Sequence, residues 1–179
     1  MHWFLHTVPW FLPGLIVTAV AALAGARPMA RALGIHPVIA ALLITSVGLI
    51  VSATLTPLRD VLEDGAVSSG TCDMSRLGWA PLSMYLRPTG ALLNVVLFVP
   101  LGVALGLLPR GKGWTRVAIV AGVASPFVVE GTQLLVRALG RGCEAADVVD
   151  NLTGVLLGIL FGRLVAAFVA RGTDGRGPA

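Results

Sequence analysis

RGCEAADVVDNLTGVLLGILFG, residues 141–162, begins with the composition of an exposed acidic loop and ends with that of a membrane interior. Glu144, Asp147, Asp150 and Asn151 lead without a break into Leu, Val, Ile and Gly, and no further charge appears until Arg163. At about 100° per residue, Asp147, Asp150, Asn151, Gly154, Gly158 and Gly162 fall on one stripe of a helix. The three glycines form two overlapping G-x-x-x-G units, which let a neighbouring backbone come close. The carboxylates are therefore expected to face protein rather than lipid, on the face that packs within the bundle.

Composition extends this reading to the whole chain. Of 179 residues, 56% are hydrophobic and only 12% charged, about half the charge content of an ordinary soluble domain. Apolar windows at 8–26, 37–57, 90–109, 116–136 and 148–168 are each near the roughly 20 residues that a helix needs to cross the hydrocarbon core. The expected fold is all-α, an integral membrane bundle of about five transmembrane helices forming a single domain over 1–179, with a disordered tail at about 172–179. The first window lacks a basic start and is followed by Arg27 and Arg31, so it is read as a retained span and not as a cleaved leader. Pro57 is expected to end the second span. Pro100 and Pro126 fall inside the third and fourth, where neighbouring hydroxyls can satisfy the carbonyls that proline frees. The loop 58–88 carries Trp79 and Tyr85, residues that favour the headgroup level.

The 13 basic residues are scattered, with no basic stripe of interleaved aromatics, so nucleic acid is not an expected partner. Orientation accounts for them better. Five spans put Arg27, Arg31, Arg110, Lys112, Arg116, Arg163, Arg171 and Arg176 on one side, and Arg59, Arg76, Arg87, Arg137 and Arg141 with nearly every acid on the other. Positive-inside logic then places the chain in a bacterial-type cell membrane as a multi-pass protein, N-terminus outside and C-terminus cytoplasmic. Cys72 and Cys143 both fall in outer loops, where an oxidising compartment permits a disulfide. Closing a loop of roughly 70 residues would contribute about 4 kcal/mol in the chain-entropy model.

Polar residues recur at one depth. Glu130, Gln133 and Arg137 follow at i, i+3 and i+7, and Glu130 lies about 10 Å inward from Arg137 along a helix rising 1.5 Å per residue. A charge at that depth costs about 2.5–3.5 kcal/mol on insertion scales, so Glu130 needs a partner or a proton, and Arg137 and Arg141 are the nearest candidates. Asn94 sits two turns past Arg87 at the same end of the third span. Two readings compete: a hydrogen-bond network that fixes helix register, and an outward-facing polar pocket. The number of ionisable groups favours the pocket, because Ser or Thr would fix register at lower cost. No ligand spacing specific for a metal is present, and no cofactor is expected.

NVVLFVPLG at 94–102, VEGTQ at 129–133, and Arg141 with Glu144, Asp147 and Asn151 followed by Gly154 and Gly158 together resemble the VanZ-like family, with a core of about 90–168 and weaker support from TLTP at 54–57. Glu144 stands where the family more often has Asp, and Cys143 where an aromatic residue is common. The resemblance implies a small membrane protein associated with reduced susceptibility to teicoplanin-type glycopeptide antibiotics, and no reaction common to the family. The expected pocket comprises Asn94, Glu130, Gln133, Arg141, Glu144, Asp147 and Asn151. It would bind or modify a cell-envelope component, such as a lipid-linked wall precursor or a lipoglycopeptide, at the outer leaflet among membrane lipids, with Arg87, Arg137 and Arg141 able to meet phosphate. An alternative is an intramembrane hydrolase or transferase with Glu130 and Asp147 as paired carboxylates. Another is a non-catalytic scaffold for a partner membrane protein. The oligomeric state is left open.

Overall fold

The computed structural model describes residues 6–87 and 90–174. Among the described residues, seven α-helices carry nearly all of the secondary structure: α1 (Phe11–Leu33), α2 (Pro37–Thr54), α3 (Arg59–Asp64), α4 (Leu82–Tyr85), α5 (Gly90–Gly106), α6 (Gly113–Leu135) and α7 (Ala145–Asp174). Two-residue strands, β1 (Cys72–Asp73) and β2 (Cys143–Glu144), pair in parallel across the loops. The helices α1, α2, α6 and α7 are long and apolar enough to cross a membrane, and α5 is a shorter apolar helix. The chain is an all-helical membrane bundle. The expected tail lies outside the described residues from 175 onward, and residues 172–174 form the end of α7.

The third window, expected to be helical over 90–109, stops at Gly106. Seventeen residues rise only about 25 Å, but α5 packs against α2, α6 and α7 and forms the centre of the bundle. Phe98, Leu101, Leu105 and Leu108 are buried there against Ile50, Val129 and Val155. Arg163 accounts for its charge at the end of this helix, donating from Nη1 to the Leu108 carbonyl at 2.9 Å. A cation at a helix C-terminus also complements the helix dipole.

The glycine stripe of α7 is met by a second stripe on α5. Gly102 faces Gly158 and Gly106 faces Gly162, so the two helices run parallel, with α6 returning the chain between them. The approach is backbone to backbone. A Cβ added at Gly154, Gly158 or Gly162 would lie 2.3, 2.3 or 2.4 Å from the carbonyl oxygens of Val95, Val99 and Val103. The antiparallel pair α1–α2 uses a looser device: Ser52 fills the notch at Gly14, and Thr18 fills the notch at Gly48.

Pro100 and Pro126 both sit within continuous helices. Pro126 cannot donate to the Gly122 carbonyl, and the Ser125 hydroxyl does so instead at 2.7 Å. This is the compensation expected where no water is at hand. Beyond Thr54, the chain leaves α2 through Thr56 and Pro57, as the proline predicts.

Candidate functional site

The starts of α1, α5 and α7 and the ends of α2 and α6 meet at one end of the bundle, where the polar residues collect. A strap covers that end. Residues 65–87 run across the start of α7 and are fastened first by the Cys72–Cys143 disulfide, whose Cα atoms are 4.4 Å apart. The parallel bridge puts Asp73 beside Glu144 in register with the two cysteines.

The second fastening is Asp150. Its carboxylate is wholly buried and receives Arg76 Nη2 at 2.6 Å and Nη1 at 3.4 Å, together with the Tyr85 hydroxyl. Each partner is itself held. Arg76 Nη1 donates to the Gly78 carbonyl, and the Ala80 amide donates to the Tyr85 oxygen. Trp79 Nε1 adds a bond to Thr153 Oγ1 at 3.1 Å one turn further along α7. The hydrogen bond to Asp150 holds the Arg76 guanidinium above its ordinary pKa. Burial, and then the bond to Asp150, push the Tyr85 hydroxyl above 10.0.

Beneath the strap, several of the predicted site residues form one layer, with Glu130, Gln133 and Asn151 buried and Arg141 half-buried. Glu130 is 3% exposed, and its Oε2 accepts the Glu144 amide at 2.9 Å. Gln133 donates from Nε2 to the Thr54 carbonyl at 3.0 Å, tying α6 to the end of α2. Arg141 donates from Nε to the Thr56 carbonyl at 3.3 Å. Burial lowers the Arg141 pKa, and the charge of Glu130 opposes that shift. Asn151 is 2% exposed. Its Oδ1 and Arg141 Nη2 are a buried acceptor and a buried donor without a protein partner among the described residues. Arg137 does not share this layer, contrary to the helical spacing from Glu130. The α6 helix ends at Leu135, Arg137 lies in a 3₁₀ turn, and its Nε donates to the Ser68 carbonyl at 3.0 Å. Arg87 is exposed in the strap.

Two predicted residues, Glu144 and Asp147, line an open cavity of about 370 Å³. Its other walls are Asp73, Ser75, Arg76 and Met84 from the strap, Gly90 and Ala91 from α5, and Ala146. Asn94 stands behind Asp147 and hydrogen-bonds its carboxylate. The Ser75 amide donates to Asp73 Oδ1 at 2.8 Å, and that bond holds the Asp73 carboxyl below its ordinary 3.8. The predicted set is thus divided into a layer of Glu130, Gln133, Arg141 and Asn151 and a cavity wall of Glu144 and Asp147 with Asn94 behind it. Of the two carboxylates read as a possible catalytic pair, Glu130 and Asp147, only Asp147 borders the cavity. Among the described residues, no group of three or more His, Cys, Asp or Glu is placed to hold a metal ion.

The sequence model of the VanZ/LLP1 family matches residues 40–166, well over half of the chain. The chain belongs to the VanZ/LLP1 family. The matched segment runs from α2 into α7 and contains every residue of that layer and the cavity. It begins well before the motifs at 94–102, so α2, which supplies the Thr54 carbonyl to Gln133, is part of the VanZ/LLP1 unit and α1 precedes it. Searches of curated proteins and of solved structures returned no match.

Sequence reasoning passed over three residues of this VanZ/LLP1 site. Arg76 was expected only as a basic residue of the outer side and Tyr85 as a residue of the headgroup level, because their partner Asp150 lies 74 and 65 positions away. Asp73 had a signal. Once Cys72 and Cys143 are paired, the acids that follow each of them, Asp73 and Glu144, are brought side by side.

Proposed function

We propose that this protein binds, at the outer leaflet, the polar part of a cell-envelope amphiphile, a lipid-linked wall precursor or a lipoglycopeptide, and thereby lowers susceptibility to teicoplanin-type antibiotics. The observation that carries this reading is the cavity between the strap and α7, where Asp73, Glu144 and Asp147 face a space of about 370 Å³. Carboxylates in such a wall accept hydrogen bonds from sugar hydroxyls, peptide amides and amines. Membership of the VanZ/LLP1 family supports the link to glycopeptide susceptibility. Five crossings, with α5 as the third, supply the topology. Arg27, Arg31, Arg110, Lys112, Arg116, Arg163 and Arg171 then gather at the end opposite the strap, which supports a cytoplasmic assignment for that end. The disulfide supports an oxidising exterior for the strap.

The test is an Asp147→Asn, Glu144→Gln double variant, shown to be folded by its intact disulfide and melting curve. Teicoplanin susceptibility of expressing cells and binding of a lipid-linked wall precursor in nanodiscs are then measured. Raised susceptibility together with weakened binding is expected. Unchanged values for both would remove the cavity from the function. Release of product from a radiolabelled precursor by the parent protein would make the same cavity catalytic.

A further inference from the structure

The strap meets the bundle in two legs, and different chemistry fastens each. The second leg, residues 76–87, is held by hydrogen bonds: Arg76 and Tyr85 on Asp150, and Trp79 on Thr153. The first leg starts from a fixed point, where the Ser68 amide donates to the Arg137 carbonyl at 3.1 Å and Arg137 Nε donates back to the Ser68 carbonyl at 3.0 Å. Between Ser68 and Arg76 lies a short link, residues 69–75, exposed at every position except Cys72. Its side-chain hydrogen bonds stay within the link, Ser69 with Thr71 and Asp73 with the Ser75 amide. The two-residue bridge and the Cys72–Cys143 disulfide tie it to β2. The link nevertheless supplies Asp73 and Ser75 to the cavity wall. We propose that this disulfide is a redox catch on the cavity: its reduction frees residues 69–75 and withdraws Asp73 and Ser75 from the wall, while the rest of the strap stays seated on Asp150.

The position of the bond carries this inference. Both ends of the link are fixed without it, so the strap does not need the disulfide to stay on the bundle; what the disulfide holds is the link itself. Two-stranded pairing is marginal in water even at hairpin length, and exposed backbone with few contacts opens at little cost. The opposite side of the wall has its own supports, since the Glu144 amide donates to Glu130 Oε2 and Asn94 bonds Asp147. Reduction therefore takes one carboxylate from the wall and leaves Glu144 and Asp147 in place. Access points the same way. Cys143 is 6% exposed, whereas Cys72 is only half-buried, so the sulfur within reach is the one on the strap. The reductant is a dithiol in the aqueous phase at this end of the bundle. One of its thiolates attacks Cys72 Sγ, the Sγ–Sγ bond breaks, and Cys143 leaves as a thiolate and takes up a proton. The second thiolate then attacks the reductant's own sulfur in the mixed disulfide and releases Cys72. A pair of electrons passes to the protein, the protons of the dithiol end on Cys72 and Cys143, and the dithiol becomes a disulfide. The consequence for binding rests on the cavity being the site proposed above; the movement of the link does not.

The full chain in nanodiscs is given genetically encoded spin-labelled amino acids at Met74 and Leu135, or at Leu82 and Leu135, all exposed positions outside the cavity wall. Double electron–electron resonance reads each separation before and after dithiothreitol, and alkylation of both cysteines in the folded protein checks that reduction has occurred. Reduction is expected to broaden the Met74–Leu135 distribution by several ångströms and to leave that of Leu82–Leu135 unchanged. The Cys72→Ser, Cys143→Ser double variant should show the broadened distribution from the start and not respond to dithiothreitol. Binding of a lipid-linked wall precursor should weaken several-fold on reduction of the parent protein and stay constant in the double variant. The proposal is overturned by an unmoved Met74 in the reduced protein, by broadening at Met74 and Leu82 together, or by a disulfide that dithiothreitol reaches only after denaturation. Precursor binding that is indifferent to reduction would overturn it as well. Movement at Met74 with no precursor binding in any form would uphold the catch and count against the proposed function alone.

Discussion

Asp147 and Asp150 lie one helical turn apart on the same stripe of α7, and the fold uses them in opposite ways. Asp150 is sealed from solvent and saturated by Arg76 and Tyr85. Asp147 borders an open cavity and is steadied on one side by Asn94. The difference is set by the strap, which descends onto Asp150 but arches over Asp147. A carboxylate at the mouth of a membrane helix can therefore serve architecture or ligand, and its own sequence context does not say which.

The comparison can be broken most severely by releasing the strap. Replacing both Cys72 and Cys143 with Ser removes a crosslink across 71 residues and should cost about 4 kcal/mol in the chain-entropy model. Denaturation in detergent with and without reductant measures it, and reductant should reproduce the loss in the parent protein while leaving the double variant unchanged. Next in size is Asp150→Asn. It leaves the Arg76 guanidinium without its counter-charge, and breaking a buried pair of this kind costs about 3 kcal/mol. Adding Arg76→Gln should recover part of that loss, because the two positions are coupled. If the single and double variants were additive, the account of Asp150 as the strap's anchor would fail.

Two turns down the same stripe, Gly158→Ala introduces a Cβ 2.3 Å from Val99 O and 2.8 Å from the Gly102 Cα. Backbone atoms cannot step aside singly, so α5 and α7 must separate, at a cost of about 2 kcal/mol typical of overpacking. The melting temperature should fall, while Ala substitution of the uncrowded Gly131 leaves it nearly unchanged. Glu144→Gln and Asp147→Asn are expected to shift stability by no more than about 0.5 kcal/mol, the range of partly exposed sites, and to act on ligand binding instead. A large stability loss from either would erase the contrast with Asp150.

The smallest effect concerns Asp73. Its folded pKa lies below 3.8 because the Ser75 amide donates to the carboxylate. A depressed acid pKa contributes stability that is present above the unfolded value and lost as pH falls through the folded one. The cavity wall therefore keeps this charge at neutral pH and loses it only in strong acid. Carbon-detected NMR titration should place the Asp73 midpoint below that of a free aspartate, and Ser75→Pro, which removes the donor, should raise it.

Much of the fold was readable before any coordinates. The apolar windows marked the helices, because crossing hydrocarbon with little charge is a local demand on sequence. The stripe of Gly154, Gly158 and Gly162 announced a close helix contact, but its partner stripe, Gly102 and Gly106, is visible as such only in the paired helices. The end of α6 was misread for a local reason: the helix stops at Leu135, so the i, i+7 spacing from Glu130 to Arg137 no longer describes a common face.

The sequence by itself determined what every short segment requires: a membrane environment, helices of a given length, a disulfide-compatible loop pair and membership of the VanZ/LLP1 family. Those properties follow from hydrophobic runs, spacings and motifs that a single stretch of chain contains. Only the tertiary structure decided which carboxylates are buried and which face the cavity, and that Arg76 and Tyr85 clasp Asp150. Each of these depends on the meeting of segments dozens of residues apart, where burial and counter-charge are properties of the neighbour and not of the residue.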